Sequence, residues 1–199
     1  AKDTPRFAFS HGPSSPQTYL RQRRVFHEAA DPGEPPDPLH IEEECLGIVA
    51  DSLAASHQAR GGQARSPGPR AERAHAAAAE ELKAVLAARA SECLRLDDLS
   101  DAVGLSPFHL CRVFRRCTGI PIHRYLTGLR LRAALERLGD AESSLTRLAM
   151  DLGFESHGHF TLAFRREFGL TPSAARTRLS GRSVRGLSKI VEAPTGDRG

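Results

Sequence analysis

Two stretches of this chain follow one pattern. "LDDLSDAVGLSPFHLCRVFRRCTGIP", from Leu96, lies over "LTRLAMDLGFESHGHFTLAFRREFGLT", from Leu145. Leu96 meets Leu145, Leu99 meets Leu148, Ser100 meets Ala149, Val103 meets Leu152 and Gly104 meets Gly153. After one inserted residue His109 meets His159, Leu110 meets Phe160, Phe114 meets Phe164, the Arg-Arg pairs align, and Gly119 meets Gly169. A match this long in a chain of 199 residues means one supersecondary unit built twice, and this limits the fold more than any other feature.

Each copy reads as a short helix, a tight turn and a second helix. Ser100 or Ala149 is small enough for the two helices to approach closely. Gly104 or Gly153 supplies the turn, where a positive φ costs only glycine little. Ser106 is placed to cap the next helix with Pro107 at its first position, and Ser156 to cap the equivalent helix in the second copy. This is helix-turn-helix patterning over 97–118 and 145–168. Pro121 then opens a helix predicted to run to about 138, with Leu126, Leu129, Arg130 and Ala133 in its middle, joining the units. The expected fold is all-α: two helix-turn-helix subdomains joined by a long linker helix, with a partly disordered N-terminal remnant.

The flanks are different in character. The first forty residues are rich in Pro, Gly, Ser and charge, and only 19–30 reads as helix. From His40 a second helix is predicted, with Ile41, Cys45, Ile48, Val49 and Leu53 on one face. That face needs a partner, in a missing domain or a second chain. "RGGQARSPGPR" breaks regular structure, so 61–72 is expected to be a flexible linker. An Ala-rich helix over about 71–90 carries Leu82, Val85 and Leu86. The end, 181–199, is expected to be a disordered tail. The division is thus an N-terminal region over 1–60, the linker, a domain over 73–180 and the tail.

Charge and cysteine usage narrow the function classes. The formal net charge is +4, nearly all from arginine, because Lys2, Lys83 and Lys189 are the only lysines. A mild basic excess permits nucleic-acid binding, and the planar arginine fork suits phosphates and guanine edges. Cys45, Cys93, Cys111 and Cys117 form no C-x-x-C pair and match no zinc spacing. No apolar run is long enough to span a membrane, and no secretory signal is present, so a cytoplasmic, nucleoid-associated protein with reduced thiols is expected. The chain begins with Ala, which is expected of a processed or truncated form.

The "SHGH" stretch in the second copy invites a metal or catalytic reading. Two residues apart on a helix, His157 and His159 point about 200° apart, so a shared metal is disfavoured. No carboxylate–histidine motif or Gly-rich phosphate loop supports them, and Cys111 lacks a histidine on its own face. Neither an enzyme nor a metal or other cofactor is expected. A regulator acting mainly through protein contacts remains an alternative.

The run "RLRAALERLGDAESSLTRLAMDLGFESHGHFTLAFRREFGLTPSAAR" resembles the signature of the AraC/XylS family of bacterial transcription regulators. Ala149, Gly153-Phe154, Ser156, Phe160, Phe164-Arg165-Arg166, Phe168-Gly169 and Thr171-Pro172 carry the resemblance, and "LSPFHLCRVFRRCTGIPIHRYL" fits the first unit. It covers roughly 74–179. The resemblance implies a sequence-specific regulator, expected to be an activator, reading adjacent major-groove segments of double-stranded promoter DNA and touching RNA polymerase. It also implies an N-terminal sensing or dimerising barrel. Residues 1–60 are too short for one, so they are expected to be its helical end and a possible homodimer contact.

The resemblance places base readers at Phe108, Cys111 and Arg112 in the first unit and at His157, Gly158, Thr161 and Leu162 in the second. Arg112 suits a guanine edge or, failing that, a phosphate. Phe108 suits a thymine methyl or simply closes the core. Gly158 has no side chain and Leu162 offers no hydrogen bond, so the first unit is expected to dominate specificity. Arg115, Arg116, Arg124, Arg165 and Arg166 are candidate phosphate contacts or solvated charges. The helix N-termini at Ser106, Ser156 and Thr171 add backbone donors. A linker helix of about eighteen residues spans about 27 Å, against about 34 Å between major-groove faces, so engagement of both units is expected to bend the duplex.

Overall fold

The computed structural model describes residues 14–31, 36–60, 67–139 and 144–180. All described elements are helices: α1 (Pro16–Ala30), α2 (Pro38–Ala59), α3 (Pro69–Ala88), α4 (Leu96–Val103), α5 (Pro107–Thr118), α6 (Ile122–Arg137), α7 (Leu145–Asp151), α8 (His157–Phe168) and α9 (Pro172–Ser180). The all-α expectation therefore holds. Among them no helix is long and apolar enough to cross a membrane. The tail expected over 181–199 lies outside the described residues, as do 61–66 of the expected linker. Helix α3 begins at Pro69, inside that linker, because a proline at the first helical position gives up no hydrogen bond.

Two apolar cores organise the chain, and α6 contributes to both. The first gathers Leu82 and Leu86 of α3, Leu96 and Leu99 of α4, Leu110 and Phe114 of α5, and Ile122 and Leu126 of α6. The second gathers Leu131, Ala134 and Leu138 from α6 and its end, Leu148 and Ala149 of α7, Phe160 and Phe164 of α8, and Ala175 of α9. The repeat accounts for this: Leu99 and Leu148, Leu110 and Phe160, and Phe114 and Phe164 occupy matching places in the two cores, all fully buried or nearly so. Gly104, Gly119, Gly153 and Gly169 all take positive φ, and no other described residue does.

The joint between the units is built on Arg130. Its guanidinium is buried in the middle of α6 and donates to the carbonyls of Ala90 (2.7 Å) and Glu92 (2.8 Å) in the α3–α4 loop. It also lies 5.8 Å from the centre of the Phe154 ring in the α7–α8 turn. Burial lowers its pKa from the usual arginine range. Beside it, the α7–α8 turn comes so close to that loop that a Cβ on Gly153 would stand 2.7 Å from the Ser91 carbonyl oxygen.

Helix α2 finds its partner within the chain, and only in part by the face that periodicity predicts, of which Ile41, Ile48 and Leu53 are half-buried. Cys45 and Val49 are exposed, whereas Leu39, Glu43, Glu44 and Ser56 are buried. Each carboxylate of the "EEE" run goes to a different element. Glu42 accepts from the Leu96 N–H at the start of α4 (3.0 Å) and pairs with Arg95. Glu43 accepts from the Ile122 and His123 N–H groups at the start of α6 (2.7 and 2.9 Å) and contacts His123 Nδ1 (2.8 Å). Glu44 accepts two bonds from Arg21 of α1 (2.6 and 3.0 Å). Burial alone would raise the Glu44 pKa, but the Arg21 hydrogen bond and charge outweigh it and hold the group below its ordinary value. A carboxylate on a helix N-terminus satisfies orphan N–H groups and meets the positive end of the helix dipole.

Candidate nucleic-acid interface

The two second helices of the repeat are built alike. Ser106 Oγ accepts from the His109 N–H at the start of α5 (3.4 Å), and Ser156 Oγ accepts from the His159 N–H at the start of α8 (2.9 Å). Both helices carry an Arg-Arg pair in the last turn and are closed by a glycine with φ of 79° and 74° respectively. Thr171 Oγ1 accepts from the Ala174 N–H and caps α9 (3.3 Å).

On α5, the face turned from Leu110, Val113 and Phe114 carries Arg112 and Arg115, both exposed, and Phe108, half-buried. Cys111 is set further in: it is half-buried and packs on the first core, as does Leu46 of α2. Burial, reinforced by the nearby Glu43 charge, pushes its thiol up to about 12, so the thiolate that redox or nucleophilic chemistry needs is not formed near neutrality. Arg116 is exposed yet tied to α3. It donates to His75 Nδ1 (2.8 Å), which leaves His75 Nε2 as the donor to His109 Nε2 (3.2 Å). Burial, His75 and the neighbouring arginines lower the His109 pKa, which favours the neutral ring this chain of bonds requires. Arg124 is exposed near the start of α6.

On α8, Gly158, Leu162, Arg165 and Arg166 are exposed, Leu162 by 55%, while His157 and Thr161 are half-buried. His157 Nε2 stands 3.5 Å from Thr161 Oγ1, one helical turn on. The His159 ring packs edge-on against Phe154, with centroids 5.7 Å apart. The two histidines of "SHGH" thus have separate surroundings, and no described group of three or more His, Cys, Asp or Glu side chains is placed to hold a metal ion. The exposed surface of α8 has an isobutyl group and a bare backbone where α5 has a guanidinium and a phenyl ring.

Sequence reasoning missed the docked carboxylates of α2, Arg21 as the partner of Glu44, and the part that Arg130 plays in the joint. Only Arg130 left a trace: it continues the four-residue spacing of Ile122, Leu126 and Ala134, all buried on α6.

Two capped helices of this kind, each preceded by a short helix and a glycine turn, define a tandem helix-turn-helix protein. The helix-turn-helix domain family matches residues 99–178. Regulatory protein SoxS of Salmonella typhimurium is 38% identical over 86 residues, which are 43% of this chain and 80% of SoxS. The transcriptional activator RhaS of Escherichia fergusonii is 36% identical over 86 residues, 43% of this chain and 31% of RhaS. A crystal structure of an AraC-type transcriptional regulator from Chromobacterium violaceum aligns with a TM-score of 0.49 at 28% identity, covering 53% of this chain and 95% of that one. The chain belongs to the AraC/XylS family of DNA-binding transcription regulators, which is not an enzyme class. It matches only about a third of the length of its larger relatives such as RhaS.

Proposed function

We propose that this chain binds double-stranded promoter DNA by placing α5 and α8 in adjacent major grooves and activates transcription from there. The observation that carries the reading is the paired design itself: two Ser-capped helices with exposed arginines, held on one connecting helix. Arg112 and Phe108 read bases from α5, with Cys111 at the edge of the contact. His157, Gly158, Thr161 and Leu162 form the weaker reading surface of α8. Arg115, Arg116, Arg124, Arg165 and Arg166, with the helix starts at Ser106, Ser156 and Thr171, meet phosphates. Activation, which would act through contact with RNA polymerase, draws its support from the likeness to RhaS, itself named an activator. Residues 1–60 then belong to a sensing or dimerising region, and the protein works in the cytoplasm on the nucleoid.

The test is a selection of bound duplexes from a random pool, followed by affinity measurements at several salt concentrations. Arg112→Ala is expected to cost about 1–3 kcal/mol and to relax one base position, since a bidentate guanine contact is lost. Leu162→Ala is expected to cost less. If Leu162→Ala is the worse lesion, or if affinity does not fall as salt rises, the assignment of readers and phosphate contacts is wrong. The 16 residues of α6 span about 24 Å, shorter than the repeat of the major groove, so a bend of the duplex is expected when both helices engage. Circular-permutation gel shifts with an unbent site would count against this.

A further inference from the structure

Helix α2 lies on the side of α5 that carries the base readers. Leu46, Gly47, Ala50 and Asp51 of α2 share with Phe108, Cys111, Arg112 and Arg115 the lining of a cleft of about 410 Å³. A helix with its side chains is about 10–12 Å across and the major groove about 12 Å wide, so the groove admits one helix and not a second lying beside it. The anions of α2 also stand where phosphates of a bound duplex would find donors. Glu43 holds the N–H groups at the start of α6, one residue before the exposed Arg124, and Glu42 holds the start of α4. Asp51, which lines the same cleft as Arg112 and Arg115, pairs with Arg21 (3.1 Å). Arg21 crosses α2 at Gly47, where a Cβ would collide with its guanidinium, so α1 and α2 are held to each other over the same face.

We propose that the α1–α2 pair masks the first recognition helix, so that the pair and the DNA duplex compete for the reading face of α5. This rests on the assignment of α5 as a DNA reader. The docked pair imitates the duplex: carboxylates take the place of phosphates on helix N-termini, and a helix takes the place of a groove wall. Whatever draws α2 away, whether an effector, another protein or the duplex itself, would switch the first unit on, while α8 stays open throughout.

The experiment is hydrogen exchange on the full chain, free and with a saturating duplex taken from the selection above. Bound DNA is expected to protect α8 and to make the amides of α2 exchange at least about tenfold faster, because undocking removes their tertiary support. Protection of α8 with α2 unchanged or slowed overturns the masking. Protection of neither α5 nor α8 overturns the DNA assignment and the masking with it. In parallel, E42Q/E43Q keeps the side-chain shapes but weakens the hold on α4 and α6. If α2 is docked about nine-tenths of the time, releasing it raises DNA affinity about tenfold. E80Q/E81Q, which makes the same charge change on the exposed surface of α3, is expected not to. An affinity gain equal in the two variants would show that charge alone acts, and would overturn the proposal.

Discussion

Gly153→Ala is expected to destabilise the chain by about 2–5 kcal/mol, far more than the same change at Gly104. Both glycines close a helix-helix turn, and both take positive φ, 81° and 70°. The dihedral penalty, about 1–2 kcal/mol for an L side chain, therefore applies to both. Around Gly104 a Cβ meets nothing within 4 Å, whereas at Gly153 it meets the Ser91 carbonyl carbon at 2.9 Å and its oxygen at 2.7 Å. The atom in the way is backbone, so relief requires the two units to move apart, and forcing extra volume into a packed site costs about 1–3 kcal/mol more. Urea denaturation of the two variants measures the difference. Equal midpoints would mean that the joint carries no strain under substitution.

The second large effect is expected at Arg130. Arg130→Ala should cost about 2–4 kcal/mol, because the carbonyls of Ala90 and Glu92 lose their donor inside the protein. Part of that loss is offset, since the buried guanidinium also pays a desolvation cost. Arg130→Lys should recover little. One ammonium on a flexible stem does not reproduce a planar fork that spans two carbonyls and lies against the Phe154 ring. A lysine variant with wild-type thermal stability would show that charge, not the fork, holds the joint.

The helix-turn-helix units were legible because their information is local. A serine cap, a proline at the first helical position, a glycine at a positive φ and apolar residues three and four apart lie within a few residues of what they determine. Ser106 and Ser156 cap the helices as their spacing implies, and Phe160 and Phe164 fill the core that the repeat predicts. The docking of α2 was not legible. Hydrophobic periodicity finds burial of apolar groups, and here the buried side chains include two glutamates. Glu43 bonds backbone N–H groups some 79 residues further on, and Glu44 bonds the side chain of Arg21 in another helix, neither of which a local pattern reports. The half-burial of Cys111 has the same origin: the helix beside it is α2, whose Leu46 packs on the same core.

Among the proposed readers, Arg112, Gly158 and Leu162 are exposed. A helical wheel suffices there because one strongly apolar stripe fixes which way α5 and α8 roll. It does not show that Arg116 is already engaged with His75, since α3 comes from outside the repeat.

Because α6 places Ile122 and Leu126 in one core and Leu131 and Ala134 in the other, the connector has no neutral midpoint. A chimaera that grafts a foreign second unit onto the first must cut the chain inside this helix. The narrow window after Leu126 and before Leu131 contains Arg130, whose bonds run backward to the α3–α4 loop while its ring contact runs forward to Phe154. Exchange of half the reading surface thus demands a compatible residue on each side of the splice.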